Sequence, residues 1–165
     1  MFARIFRHLI FPDWWWRRKL PEAALRRIQT AVASAEKGHS AEIRIAVEAT
    51  LELPALLKGV LARERAVEVF SRLRVWDTEE NNGVLLYVLL ADRDVEIVAD
   101  RDVAKRVAQP EWELICREME ALFRAERQEE ALLSGVRLIG GKLSALYRDG
   151  VKTANQLPDR PAMLT

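Results

Sequence analysis

Residues 83–100 read Gly83-Val84-Leu85-Leu86-Tyr87-Val88-Leu89-Leu90-Ala91-Asp92-Arg93-Asp94-Val95-Glu96-Ile97-Val98-Ala99-Asp100. The run Val84–Leu90 is apolar without interruption. Its length suits a strand, and its lack of alternation suits one covered on both faces, as in a sheet between helices. Ala91 to Asp94 is a short polar break, after which Val95 to Ala99 alternates. Two strands this close in sequence predict an antiparallel hairpin.

Upstream, Asp77 to Gly83 is polar, with Asn82-Gly83 a turn dipeptide. A helical pattern follows Pro54, with Leu57, Val60, Leu61, Val67, Phe70 and Leu73 on one broad face. Glu42 to Glu48 alternates with period two, which predicts a strand with one better-buried face. Pro21 opens a helix that carries Leu25, Ile28 and Val32 and ends at Gly38. Downstream, one helix begins at Pro110 with Trp112, Ile115, Met119, Leu122 and Phe123 on one side. A second carries Leu132, Val136, Ile139, Leu143 and Leu146 and ends near Gly150. Thr153 to Thr165 holds two prolines and no periodicity, so a strap or a disordered end is expected. The reading is one α/β domain over residues 21–150, preceded by a basic aromatic arm (1–20) and followed by a tail (151–165).

A chain of 165 residues, 50% apolar and 31% charged, is long enough for a sizeable core. Its 26 basic and 25 acidic side chains leave +1, which gives no bulk-charge case for nucleic acid. A single cysteine, Cys116, excludes an internal disulfide and a cysteine-rich zinc site, and fits a reducing, cytoplasmic setting. Arg4, Arg7 and His8 break the N-terminal apolar stretch, so it does not read as a secretory signal. No run of 18 apolar residues is present to span a bilayer.

The charge is unevenly placed. Residues 1–27 carry seven basic groups against Asp13 and Glu22, a balance of +5; residues 77–102 carry eight acidic groups against Arg93 and Arg101, a balance of −6. In the arm, Trp14, Trp15 and Trp16 precede Arg17, Arg18 and Lys19. Such a segment suits a membrane interface or a membrane-associated partner. Alternatively, one or two rings pack on the domain while the charges stay solvated.

Topology gives the acidic block a meaning. If the first two strands are parallel, their starts share one end of the sheet, and the hairpin returns the third strand to that end. His39, Ser40, Glu42, the Asp77–Asn82 segment and Asp100–Asp102 then converge. Oxygen ligands from three loops suit calcium or magnesium. The opposite rim offers Glu52, Asp92, Arg93 and Asp94, and open α/β sheets often bind ligands beyond the carboxyl ends of parallel strands. Spacing alone leaves both rims open.

Three catalytic motifs are nearly met and fail. Asp92-Arg93-Asp94 has the aspartates of a haloacid-dehalogenase nucleophile loop, but Glu96 stands where Thr or Val is needed. Gly135 to Lys142 has glycines and a lysine like a phosphate-binding loop, but its lysine is late, Leu143 replaces the hydroxyl residue, and the stretch is helical. Cys116 has Leu122, not arginine, six residues on, and a core position is expected for it.

The segments Glu42-Ile43-Arg44, Ala62-Arg63-Glu64-Arg65-Ala66, Asp77-Thr78-Glu79-Glu80-Asn81-Asn82-Gly83-Val84-Leu85 and Val95-Glu96-Ile97-Val98-Ala99-Asp100-Arg101 resemble the TPM domain family. This family includes thylakoid proteins and many bacterial ones. The resemblance runs from about Pro21 to Tyr147, extends to Leu157–Pro161, and is nearest to short, single-domain proteobacterial members. It implies an α/β/α sandwich with a small mixed sheet (a β-α-β-β core) covered by helices on both faces. It also implies cation binding, a role in maintaining membrane complexes, and a weak acid phosphatase activity. Glu42, Asn82, Gly83 and Asp100 fall on the family's motif positions, which selects the first rim. The expected ligands for Ca2+ or Mg2+ are Glu42, Asp77, Asn82, Asp100 and Asp102. Two residues depart from the pattern: Ala41 stands where a glycine precedes the glutamate, and Asp102 where glycine follows Asp-Arg.

Two functions follow as expectations. One is a non-enzymatic binding module beside a membrane-associated assembly, with Trp14, Trp15, Trp16, Arg17 and Arg18 as the contact. The other is a metal-assisted phosphatase, with His39 as acid or base near a cation held by Glu42, Asp77 and Asp100.

Overall fold

In the structure, a computed structural model describing residues 2–148 and 154–164, the described residues form one mixed sheet of four strands. The strands are β1 (Glu42–Glu48), β2 (Gly83–Leu89), β3 (Asp94–Ala99) and β4 (Ala162–Leu164), in the order β3-β2-β1-β4. β1 runs parallel to β2, from Glu42 opposite Gly83 to Glu48 opposite Leu89. β3 returns antiparallel to β2, with Leu89 facing Asp94 and Val84 facing Ala99. The hairpin closes through Arg93, whose φ of 55° is left-handed. The starts of β1 and β2 and the end of β3 therefore share one rim, as the topology argument requires.

The helices are α1 (Phe2–Leu9), α2 (Asp13–Lys19), α3 (Glu22–Glu36), α4 (Leu53–Leu57), α5 (Ala62–Arg72), α6 (Arg101–Arg106), α7 (Gln109–Arg124) and α8 (Gln128–Tyr147). One face of the sheet, with Ile43, Ile45, Leu86, Val88 and Ile97, packs on Ile28 and Val32 of α3, Trp112, Met119 and Phe123 of α7, and Leu132 and Ile139 of α8. The other face, with Leu85, Tyr87 and Leu89, packs on Leu56 of α4, Ala62, Ala66 and Val69 of α5, and Leu157 of the tail. The result is an α/β/α sandwich, and it explains why β2 reads as an unbroken apolar run.

Three local readings change. The pattern after Pro54 is two helices, separated at Gly59, whose φ is 73°. The break leaves Leu57, Leu61 and Val67 exposed, and smaller residues such as Ala66 face the sheet. β1 is buried on both faces instead of one. Its polar alternates are held in place: Arg44 donates to the carbonyls of Pro158 (2.7 Å) and Arg160, and Glu42 accepts from the amides of Gln156 (3.2 Å) and Leu157 (3.3 Å). The tail thus tied down is a strap that ends in a fourth strand, with Ala46 paired to Ala162. The expected helix end at Gly150, the boundary between 150 and 151, and the start of the tail at Thr153 lie outside the described residues.

The third change concerns Gly83. The left-handed residue of the preceding turn is Asn81 (φ 52°), and Gly83 already belongs to β2. A Cβ on Gly83 would sit 2.1 Å from the Val75 carbonyl oxygen. Glycine is required there by the close approach of two backbones, not by its freedom of φ. Among the described residues no helix is long and apolar enough to cross a membrane.

Candidate functional site

At the amino rim, backbone bonds stitch the two loops together. The Asp100 amide donates to the Gly83 carbonyl (2.8 Å) and the Asp102 amide to the Asn81 carbonyl (3.1 Å). Asp100 follows β3 and caps α6, its Oδ1 accepting from the Arg101 amide (2.7 Å). Its Oδ2 is buried and has no hydrogen-bond partner. Asn82 is set by its backbone: its amide donates to Thr78 Oγ1 (3.0 Å). Its Nδ2 donates to Glu80 Oε2 (3.0 Å) and Ser40 Oγ (3.4 Å), while Ser40 Oγ donates to the same Glu80 oxygen (2.6 Å). With the amide nitrogen so engaged, Oδ1 is turned away from those partners, and it too is buried and unpartnered.

Two buried oxygens without donors, on neighbouring loops, are uncommon. Each costs about 1–3 kcal/mol when nothing compensates. A hard cation is the kind of group that compensates oxygen acceptors, amide oxygens included. The other three expected ligands are engaged elsewhere. The buried Glu42 carboxylate holds the tail amides. Asp77 is exposed and paired with Arg74 at 2.7 Å. Asp102 accepts from the Tyr147 hydroxyl (2.7 Å) and pairs with Arg106 (3.0 Å). Among the described residues, no three His, Cys, Asp or Glu side chains gather in a metal-sized cluster. The uncommitted buried oxygens at this rim are instead one amide, Asn82 Oδ1, and one carboxylate, Asp100 Oδ2. Glu80, within the converging Asp77–Asn82 segment, is exposed and accepts from the Ser40 hydroxyl and the Asn82 amide nitrogen, on the side away from Oδ1. His39 is buried between α3 and β1.

The opposite rim is closed. Asp92 pairs with Arg4 Nε (2.8 Å) and Arg7 Nη2 (2.5 Å), and His8 Nε2 lies 3.1 Å from it. The Leu51 amide donates to His8 Nδ1 (3.0 Å), which leaves Nε2 as the ring nitrogen nearest Asp92. Burial alone pushes the Asp92 carboxyl up, but the hydrogen bonds from His8 and Arg4 outweigh it and hold the group well below the usual carboxylate range. Glu48 is held by Arg65 (2.7 and 2.9 Å) and the Tyr87 hydroxyl (2.5 Å). Glu52 is exposed, as is Arg93, which serves the hairpin turn.

The aromatic run divides by helical geometry, since successive residues are about 100° apart. Trp16 is in the core with Arg17 stacked over it (4.7 Å), and Trp15 packs edge-on against Phe11 (5.2 Å). Trp14, Arg17 and Arg18 are exposed. Cys116 lines a cleft with Asp94, Glu96 and Glu120, where burial first and the nearby carboxylates second push its thiol up to about 12. A thiol so raised is a poor source of thiolate at neutral pH.

An α/β/α domain with an oxygen-lined amino rim is what these observations define. The TPM domain family model matches residues 19–142, and the chain belongs to that family. Among solved structures, the BA42 protein of the psychrophilic bacterium Bizionia argentinensis is 26% identical with a TM-score of 0.71, the match covering 86% of this chain and 93% of that one. The N-terminal domain of a P. gingivalis protein shares the fold at 16% identity and a TM-score of 0.62, covering 78% and 80%. No protein with a curated description matches the chain.

Proposed function

We propose that this chain is a cation-dependent binding module that acts beside a membrane-associated assembly, with Ca2+ or Mg2+ at the amino rim. The observation that carries the reading is the pair of buried oxygens, Asn82 Oδ1 and Asp100 Oδ2, that lack any donor. These two residues would hold the ion, with water filling the remaining positions. A bound ion would supply positive charge directly at the two oxygens that the rim's arginines, on Asp77, Asp102 and Asp100 Oδ1, do not reach. It would also cross-link the loop before β2 to the loop after β3.

Calorimetric titration of calcium and of magnesium into the full chain tests this. Binding heat is expected in the wild type, lost in Asp100→Ala and weakened in Asp100→Asn, which keeps the capping oxygen but not the charge. No heat in the wild type overturns the reading. Hydrolysis of para-nitrophenyl phosphate that requires both the cation and Asp100 would replace the module with the metal-assisted phosphatase.

A further inference from the structure

α1 is docked the wrong way round for an ordinary surface helix. Amphipathic helices turn their apolar stripe to the core and their charges to water. Here Arg4 and His8, one turn apart, face inward onto Asp92, and Arg4 also donates to the Val60 carbonyl (2.8 Å). Ile5 rests beside them on the core. Phe2, Phe6 and Leu9 stand on the opposite side at the spacing of successive turns, and are 87%, 63% and 64% exposed. Ile10 and Trp14 continue this surface into α2, and α4, which α1 touches, presents Leu53 and Leu57.

Exposed large apolar side chains gathered on adjoining helices in this way mark an interaction site. Its occupant is indicated by charge. Asp92, the acidic residue nearest α1, is already matched by its cations. Arg17 and Arg18 remain exposed beside the aromatic residues, Arg7 keeps an exposed side chain while it pairs with Asp92, and Glu52 and Lys58 flank Leu53 and Leu57 on α4. Aromatic and aliphatic side chains ringed by arginine are the composition of a helix that lies in an anionic lipid interface. We propose that the outer face of α1, with Trp14 and the exposed leucines of α4, docks on an anionic phospholipid bilayer in the interfacial plane.

This proposal goes beyond the cation reading and does not depend on it, so the test is run in EDTA. The full chain is floated with vesicles of phosphatidylglycerol and phosphatidylcholine, and with phosphatidylcholine alone. Co-flotation with the anionic vesicles is expected, weakened by salt. Phe6→Glu with Leu9→Glu should lower it about tenfold, since two anchors become anions. Phe2→Ser with Trp14→Ser provides a second, uncharged test should the first variant fail to fold. Arg17→Gln with Arg18→Gln should remove the preference for anionic vesicles. No flotation of the wild type, or flotation unchanged in both apolar variants, overturns the proposal. So does a dimer in sedimentation velocity that disperses in Phe6→Glu/Leu9→Glu while vesicles stay unbound, which would make this face a contact between copies of the chain.

Discussion

At the carboxyl end of the sheet Asp92 is gripped by Arg4, Arg7 and His8, whereas at the amino end Asp100 and Asn82 each keep one buried oxygen without a donor. Both ends draw on one acidic stretch of sequence, and the hairpin β2–β3 carries that stretch from one rim to the other. The difference lies in what reaches each rim from afar. The N-terminal helix brings two guanidinium groups and an imidazole to the carboxyl end. At the amino end the described tail residues use their backbone amides on Glu42, while Asn82 Oδ1 and Asp100 Oδ2 have no donor. The acidic group of the carboxyl rim is thus committed to holding the fold, whereas two buried oxygens of the amino rim are not.

The largest disturbance of this comparison is expected at Gly83, which lets the loop before β2 pass beneath the Val75 carbonyl. Gly83→Ala puts a Cβ 2.1 Å from a backbone oxygen, and neither backbone can yield without opening the amino rim. A loss of about 4 kcal/mol or more is expected, beyond the usual range for one substitution. Urea denaturation followed by circular dichroism measures it. A loss under about 1 kcal/mol would show that the rim is not held by this approach.

Asp92→Ala should come next. It leaves Arg4, Arg7 and the buried His8 without their common acceptor. The expected cost is about 2–3 kcal/mol, the lower side for one partner removed from a buried pair, because both arginines can turn to water. The same substitution should free α1, raising amide hydrogen exchange across residues 2–9 while β1 stays protected.

The sequence carried the sheet plainly and the rims only in part. Seven apolar residues and a short break are a local signal, so β2, its hairpin and the convergence of three loops could be read from it. β4 could not: three residues near the C-terminus pair with β1 more than a hundred positions away, and nothing local marks them. The partners of the acidic residues were equally non-local. Arg4 and His8 meet Asp92 from the far end of the chain, and Tyr147 meets Asp102 across the domain. The five-residue ligand set rested on the family resemblance after topology had left both rims open, and neither could show which oxygens are already committed. Periodicity also assumes that apolar faces turn inward, and α1 turns its own outward.

The rims should also separate on acidification, by a smaller and pH-confined amount. The Asp92 carboxyl is held below its unfolded value of about 3.9, so its contribution is complete above that pH and is lost as pH falls through the folded value. Wild-type stability should therefore drop more steeply below about pH 4 than that of Asp92→Asn. Its neighbour Asp94 has the opposite sign. Burial first, then Glu120 and Asp92, raise it, so its contribution is greatest below the unfolded value and is lost as pH rises through the folded one. Asp94→Asn should then leave neutral-pH stability unchanged or slightly increased. Parallel acid limbs for wild type and Asp92→Asn would show that the carboxyl rim is not an electrostatic latch.

The smallest effect is expected at Asp100→Asn, and it is the most telling. Asparagine keeps an oxygen for the Arg101 amide and caps a helix about as well as aspartate. It also removes the negative charge from a buried oxygen that has no donor. In EDTA the loss from the cap and the gain from neutralisation should nearly cancel, within about 0.5 kcal/mol. With calcium present the two proteins should diverge, because a ligand that binds only the folded state stabilises it by mass action. The wild type should melt higher while the variant moves little. A substitution that is silent without the ion and visible with it is the signature of a rim kept for binding. If Asp100→Asn instead destabilises the chain in EDTA as much as Asp92→Ala does, the two rims do the same structural task and the contrast between them fails.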